Sequence, residues 1–213
     1  MEKAIFELSN IVKSFGGIKV LHGLNLTMKR GERIGLSGGN GAGKSTLLNI
    51  ATGFVFVDSG KIWCDGNDIS GFPPWKFSRI GIRRSFQDVR MYPTLTIKEQ
   101  FFVKNTVIRD SFELIAEAGL VPFLHLFPND VPLTILRKVE VVRALLSKPK
   151  IIYLDEPSAG FSNEELYNFS MFLNNFIDKT TTIVIVEHRL DLIKEVAGTT
   201  YELRGGSLEE VEL

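Results

Sequence analysis

Residues 34–46 read IGLSGGNGAGKST, and this stretch decides the fold. Gly38 to Ser45 match the pattern G-x-x-x-x-G-K-[ST], the Walker A phosphate-binding loop. The glycines let the backbone curl tightly, so that successive N–H groups point inward and surround a polyphosphate. Lys44 adds a positive charge at the β- and γ-phosphates, and the hydroxyl of Ser45 is suited to hold Mg²⁺. The predicted binding residues are Gly38, Gly39, Asn40, Gly41, Ala42, Gly43, Lys44, Ser45 and Thr46.

The segments on either side of the loop agree with this prediction. The approach from Arg33 to Leu36 is typical of a strand, and Lys44 to Ala51 is typical of a helix. Such a helix directs the positive end of its dipole at a bound anion. The alternative is a glycine-rich turn that contains GKS by coincidence, and a second motif downstream argues against it.

The composition is that of an ordinary globular protein. The 213 residues suit one large domain, or a domain with an insert, and 44% of them are hydrophobic. Lys plus Arg and Asp plus Glu number 25 each, and this balance argues against a basic nucleic-acid-binding face. Cys64 is the single cysteine, which excludes an intrachain disulfide and indicates a reducing compartment. There is neither an apolar run of about 18 residues nor a signal-peptide profile, so we expect membrane association only through partners.

Hydrophobic patterning predicts an α/β fold. Ala4 to Val12 and Val20 to Met28 alternate as half-buried strands do, and residues 59–66 read as a strand between glycine turns. We therefore expect an antiparallel β part near the amino terminus. Ile151 to Leu154 and Thr182 to Val186 are continuous apolar runs, which suit strands buried on both faces of a parallel sheet.

Between these β-rich parts the pattern becomes helical. Thr96 to Glu99 form a capping box that begins a helix, and a second helical segment runs from about Ser111 to Ala118. We interpret residues 1–213 as a single domain, with a helical subdomain inserted at residues 96–137.

The second motif is a buried strand that ends in two acids. Residues 151–156 read IIYLDE, which matches the Walker B element. The strand would deliver Asp155 to the carboxyl edge of the sheet, where it can bind Mg²⁺ through a water. Glu156 would then activate the attacking water as general base. An ordinary strand that ends in two solvated acids is the alternative, but the intact Walker A loop favours the functional interpretation.

On these motifs the chain resembles the ATP-binding subunits of ABC transporters over essentially its whole length. The resemblance implies a P-loop NTPase domain of the ABC type: a mostly parallel core sheet, an antiparallel β part and a short helical insert. It also implies ATPase activity, with ATP and Mg²⁺ bound. Gln87 in the sequence RSFQD matches the Q-loop, whose amide oxygen would reach Mg²⁺ and the attacking water. His188 in VEHR matches the switch histidine that contacts the γ-phosphate, and Ser158 begins a segment similar to the D-loop.

Two apolar residues complete the predicted site. Phe15 in SFGG stands where the family has an aromatic residue that stacks on adenine, although it could also anchor a turn. Val20 matches the apolar position beside the base, with core packing as the alternative.

The family signature, usually LSGGQ, is degenerate in this sequence. Alignment on Glu140 puts the sequence VPLTI, residues 131–135, in its place. Pro132 replaces the serine and lacks an N–H, while Leu133 and Thr134 replace glycines that let the backbone approach a phosphate. In the family this segment binds the ATP that the opposite subunit holds, so we expect this role to be lost or weakened here.

The resemblance implies a function in transport. Residues 80–93, with residues 186–188, are most similar to subunits of branched-chain amino acid importers. The implied partners are integral membrane transporter subunits and a second ATPase subunit with an intact signature. We expect an asymmetric heterodimer on the cytoplasmic face of the cell membrane, attached through its partners. The alternatives are an ABC ATPase outside transport, which would not co-purify with a membrane protein, and a nucleotide-sensing regulator, which would not turn over ATP.

Overall fold

The structure is a computed structural model, and it describes residues 4–101 and 108–213. In chain order the elements are β1 (Ala4–Phe15), β2 (Ile18–Lys29), β3 (Arg33–Ser37), α1 (Lys44–Ala51), β4 (Ser59–Cys64), β5 (Asn67–Asp68), α2 (Pro74–Arg79), β6 (Ile82–Arg84), α3 (Ile97–Phe101), α4 (Ile108–Glu117), α5 (Leu133–Leu145), β7 (Ile151–Asp155), α6 (Asn163–Phe176), β8 (Thr182–Val186), α7 (Leu190–Val196), β9 (Thr199–Arg204) and β10 (Ser207–Val211). Two short 3-10 turns, Val121–Phe123 and Pro128–Asp130, precede α5.

The core sheet has six strands in the order β10-β9-β3-β8-β7-β6. Its neighbours are parallel except for the hairpin of β9 and β10, as the sequence predicts for a mostly parallel sheet. Parallel strands end at the same edge of a sheet, so the segments after β3, β8 and β7 lie side by side. These are the phosphate loop, the segment with His188 and the Walker B acids.

The predicted antiparallel part is a second sheet of four strands, in the order β2-β1-β4-β5. Leu8 pairs with Leu26 in the long hairpin of β1 and β2. Both strands extend beyond the predicted Val12 and Val20, because backbone pairing continues to Phe15 and Ile18 after the hydrophobic alternation has ended.

Side chains of the central strands fill two cores, one on each face of the parallel sheet. Every residue of β7 and β8 is buried, which confirms the prediction from their apolar runs. Along β7, Ile151 and Tyr153 pack against α1 and the antiparallel sheet, while Ile152 and Leu154 pack against α5 and α6. The domain is therefore layered, with the parallel sheet between the antiparallel part and the helices.

The predicted helices form, with the caps that the sequence indicates. Thr96 and Glu99 make the capping box before α3, with Thr96 N–H donating to Glu99 Oε2 at 2.7 Å. Ser162 and Glu165 do the same before α6. α4 begins at Ile108, three residues before the predicted start, and ends before Gly119, whose φ is 72°.

The helical subdomain predicted for residues 96–137 includes residues 102–107, which lie outside the described residues. The described part between β6 and β7 holds α3, α4, the two 3-10 turns and α5. The predicted boundary at residue 137 falls inside α5, and the division into a core and an inserted subdomain stays a prediction. Within residues 4–101 and 108–213, no helix is long and apolar enough to cross a membrane.

Candidate functional site

The phosphate loop lies between β3 and α1, as the sequence predicts, and it encloses its own lysine. Lys44 is buried, and its Nζ donates to the carbonyl oxygens of Gly38 at 2.7 Å and Gly39 at 3.0 Å. Gly38 has a φ of 147° and lies so close to β9 that a Cβ would meet the Leu203 carbonyl oxygen at 2.7 Å. A side chain larger than hydrogen does not fit at this position.

The outer side of the loop is open. A Cβ added at Gly39 or Gly41 would meet no atom within 4 Å, so open space lies beside these two residues. Asn40 and Ser45 are exposed, whereas Ala42 and Thr46 are half-buried. An open, glycine-rich loop with a lysine at its base is chemically suited to an anion such as a polyphosphate.

Asp155 ends β7 in a buried ion pair. Its Oδ2 lies 2.7 Å from Nη2 of Arg84, and both side chains are only 7% exposed. Nη1 of Arg84 donates to Oδ1 of Asn49 on α1 at 2.6 Å, and the guanidinium lies 5.1 Å from the ring of Phe86. The backbone N–H of Asp155 donates to Ser85 Oγ at 3.0 Å, so the end of β6 and the residue after it hold both the carboxylate and the backbone of Asp155.

The Glu156 carboxylate contacts the other two predicted catalytic residues. Nε2 of Gln87 donates to Glu156 Oε2 at 3.3 Å, and Nε2 of His188 lies 3.3 Å from Glu156 Oε1. These three side chains come from the ends of β6, β7 and β8, and the shared sheet edge brings them together. Glu156 itself is half-buried and has a φ of 47°, which is uncommon for a residue other than glycine.

The D-loop serine is tied to the residue before the histidine. Ser158 donates to Oε1 of the buried Glu187 through its N–H at 2.9 Å and its hydroxyl at 2.6 Å. The segment after β7 is therefore linked directly to the segment after β8.

The two predicted adenine contacts differ in their surroundings. Val20 packs beside the phosphate loop, since a Cβ on Gly43 would meet its Cγ1 at 3.0 Å. Phe15 lies at the end of β1 with a half-exposed ring, and the ammonium group of Lys13 is 5.2 Å from the ring centroid. An exposed aromatic face is available for stacking, and the role of Phe15 stays a prediction.

The degenerate signature lies at the amino end of α5. Pro132 occupies the N-cap position and makes no side-chain cap hydrogen bond, and the helix begins at Leu133. The Leu133 side chain is 54% exposed. The segment therefore presents an apolar side chain and a proline where the family has a serine and two glycines.

Two arginines of the site were not predicted from the sequence. Arg84 pairs with Asp155, and Nη1 of the buried Arg137 donates to the backbone carbonyl of Glu156 at 3.2 Å. Arg84 stands three residues before Gln87, and Arg137 six residues after Val131, so both lie beside recognised motifs. Their partners are 71 and 19 residues away in sequence, and no local pattern indicates these contacts.

Comparisons with known proteins agree with the geometry. A family model described as "ABC transporter" matches residues 21–159. The high-affinity branched-chain amino acid transport ATP-binding protein BraF of Pseudomonas aeruginosa is 28% identical, over 92% of this chain and 87% of that protein. The probable branched-chain amino acid transport ATP-binding protein LivG of Archaeoglobus fulgidus is 30% identical, over 96% of this chain and 87% of that protein.

Other relatives are longer. The ribose import ATP-binding protein RbsA of Streptococcus agalactiae is 30% identical over 97% of this chain, which spans only 44% of that relative. Among solved structures, a nucleotide-free ATP-binding cassette from an ABC transporter superposes with a TM-score of 0.85 at 26% identity, covering 98% of this chain and 91% of that one. A dimeric cassette bound to ADP and Pi has the same fold, with a TM-score of 0.85 at 24% identity and 98% of each chain covered. Because the family model covers more than half of the sequence, this chain belongs to the ABC transporter family, as an ATP-binding domain with ATPase activity.

Proposed function

We propose that this chain powers an importer by binding and hydrolysing MgATP, together with integral membrane subunits and a second ATPase subunit. One observation carries the proposal: the phosphate loop and the carboxylates of Asp155 and Glu156 lie at the same edge of the core sheet. Gln87 and His188 contact the Glu156 carboxylate there. Phosphoryl transfer needs little more than positioning and charge neutralisation, and these groups are suited to both.

In this proposal the phosphates of ATP lie in the cradle of residues 38–46. Lys44 would exchange its two carbonyl partners for the β- and γ-phosphates, because a phosphate is the stronger acceptor for an ammonium group. Phe15 would stack on the adenine and Val20 would contact its edge.

The oxygen ligands proposed for Mg²⁺ belong to Ser45, Gln87 and Asp155. These are hard oxygen donors, which this ion prefers. Since Arg84 uses Oδ2 of Asp155, the ion would be held through the second oxygen of that carboxylate, directly or through water. When bound, Mg²⁺ neutralises charge on the phosphates.

Glu156 is the proposed general base. Its carboxylate would take the proton of the attacking water while Gln87 and His188 hold the carboxylate and the γ-phosphate in register. The intact Glu156 and His188 favour an active ATPase over a nucleotide-sensing regulator.

The partners are proposed on two grounds. The names of the relatives state transport of branched-chain amino acids and import of ribose, which favours an importer over an ABC ATPase outside transport. The exposed Leu133 and the capping Pro132 argue that this chain needs a second ATPase subunit to supply an intact signature. Such an assembly would hold the chain on the cytoplasmic face of the cell membrane.

Two measurements test the proposal. A tag on this chain should co-purify an integral membrane protein and a second ATPase from detergent-solubilised membranes of the native cell, whereas a purely soluble assembly would contradict the transport role.

In isothermal titration calorimetry, Lys44→Ala should abolish tight MgATP binding, because it removes the charge at the phosphates. Lys138→Ala on α5, which removes a lysine outside the loop, is the matched control. Equal affinity of Lys44→Ala and the unmodified chain would exclude this loop as the ATP site.

A further inference from the structure

Helix α5 keeps a second contact with the catalytic edge although its amino end has lost the signature residues. We infer that Arg137 is a positioning residue for Glu156: it holds the backbone turn that carries the general base of its own subunit. This inference rests on the proposed role of Glu156. It assigns to α5 a task within the subunit that is separate from any contact with a partner subunit.

The contact is made to the backbone of Glu156. Nη1 of Arg137 donates to the Glu156 carbonyl oxygen at 3.2 Å, and the side chain is only 9% exposed. The same carbonyl accepts the N–H of Ala159 at 3.2 Å, while the N–H of Glu156 donates to the Val186 carbonyl at 2.9 Å. The residue is therefore fixed at both of its peptide groups.

This backbone needs to be held. Glu156 has a φ of 47°, in the left-handed region where an L residue is disfavoured. A residue in such a conformation persists only when its surroundings impose it. A charged donor on the carbonyl is a strong and directional restraint, and it fixes the direction in which the carboxylate leaves the backbone.

The other end of the same helix face is fixed to the Q-loop. Arg137, Glu140 and Arg143 are spaced by three residues, so they follow one another along one side of α5. Nη2 of Arg143 donates to the Arg90 carbonyl oxygen at 2.8 Å. Helix α5 thus contacts both the segment that follows Gln87 and the Glu156 turn.

Arg137 lies within electrostatic range of an acid on the same helix. The carboxyl of Glu140, one turn along, interacts electrostatically with Arg137 and Arg143. A lysine could supply the charge but not the planar fork of donors.

The test compares Arg137→Met, which keeps the length of the side chain and removes the donor, with Arg137→Lys and with Lys138→Met. Lys138 is the neighbouring cation on α5 and lies 5.6 Å from the ring of Phe161. In the full chain, amide hydrogen exchange at Ala159 should become about tenfold faster in Arg137→Met, because the shared acceptor loses its restraint. It should change little in Lys138→Met.

The second arm uses the complex purified through a tag on this chain. Arg137→Met should lower kcat by about 10- to 100-fold at unchanged KM and unchanged ATP affinity, because the base is misplaced and the phosphate loop is intact. Arg137→Lys should recover part of kcat. A raised KM with unchanged kcat in Arg137→Met would overturn the inference. So would a loss of kcat in Lys138→Met equal to that in Arg137→Met, or unchanged amide exchange and turnover in Arg137→Met. If Glu156→Gln turned over ATP normally, the proposed base would be wrong, whereas the exchange arm would still report on the Arg137 contact.

Discussion

At the scale of single residues, we expect the proposed function to depend most on the carboxylate of Glu156. In Glu156→Gln the amide keeps the shape of the side chain, so the chain should bind MgATP with unchanged affinity. Turnover by the purified complex should fall by about 100-fold or more, which is the usual contribution of a general base. Asp191→Asn, which neutralises an acid in the first turn of α7, is the control and should leave turnover unchanged. Normal turnover in Glu156→Gln would show that another group activates the water.

The buried pair of Arg84 and Asp155 makes a second residue-scale prediction, this time on stability. Removing one partner leaves an uncompensated charge where both side chains are 7% exposed. We expect Arg84→Met to lower the free energy of unfolding by about 3–5 kcal/mol, measured by urea denaturation. Arg204→Met removes an arginine that is 64% exposed in its pair with Glu202, and it should leave the unfolding free energy almost unchanged, because solvent screens this pair.

A double variant separates the charge from the packing in this prediction. Arg84→Met combined with Asp155→Asn should be more stable than Arg84→Met alone, because no unpaired carboxylate then remains in the interior. If the double variant were less stable than either single variant, packing around the arginine rather than its charge would be the dominant contribution.

At the scale of elements, local patterns predicted the parts that depend on local rules. Helix α1 has the predicted bounds, because glycine before Lys44 and the apolar run after it define its start and its length. The capping box at Thr96 was also predicted, because its two residues are only three positions apart in sequence. The apolar runs of β7 and β8 were identified as buried strands because helices cover both faces of a parallel sheet.

Elements that depend on distant partners were missed. β6 has three residues, and it is a strand because it pairs with β7 some 70 positions later. The Arg84 contact with Asp155 follows from that pairing, so no local pattern could indicate it. The 3.2 Å bond from Arg137 to the Glu156 carbonyl likewise exists only when α5 packs against the end of β7.

Helix α5 also makes stability depend on pH. Burial raises the pKa of Glu140 from 4.5 to about 7, although the N–H groups of Phe86 and Arg90 and the charge of Arg143 act in the opposite direction. The folded chain therefore holds this proton more tightly than the unfolded chain does. The contribution of Glu140 to the free energy of unfolding therefore falls as pH rises from about 4.5 to about 7, and it stays constant above pH 7.

The control for this effect is Glu140→Gln, which is neutral at every pH. From about pH 5 to about pH 8, the unmodified chain should lose about 2–3 kcal/mol of unfolding free energy relative to the Gln variant. Urea denaturation of both chains at the two pH values gives this double difference, in which the other titrating groups cancel. A double difference near zero would mean that the carboxyl is ionised in the folded chain.

At the scale of the whole molecule, the proposed phosphate-binding and catalytic groups are intact, whereas the segment aligned with the signature is degenerate. The carboxyl edge of the core sheet carries the phosphate loop, the acids, Gln87 and His188, whereas the amino end of α5 carries Pro132 and the exposed Leu133. In the ABC family each ATP lies between the Walker A loop of one subunit and the signature of the other. Two copies of this chain would therefore place both ATP molecules against residues 131–135, without the serine and the glycines.

This asymmetry predicts that the isolated chain has negligible ATPase activity and works as half of a heterodimer. A partner with an intact signature would complete one site, while the site facing residues 131–135 would bind ATP and hydrolyse it slowly.

The sharpest test restores the signature in this chain with Val131→Leu, Pro132→Ser, Leu133→Gly, Thr134→Gly and Ile135→Gln together. The restored chain should show ATPase activity that rises cooperatively with protein or ATP concentration, because both sites of a homodimer would then be complete. Adding Glu156→Gln should remove that activity, which shows that it comes from this site. Robust cooperative turnover by the unmodified isolated chain would contradict the asymmetry, as would a complex that keeps full activity after the partner's signature serine is replaced.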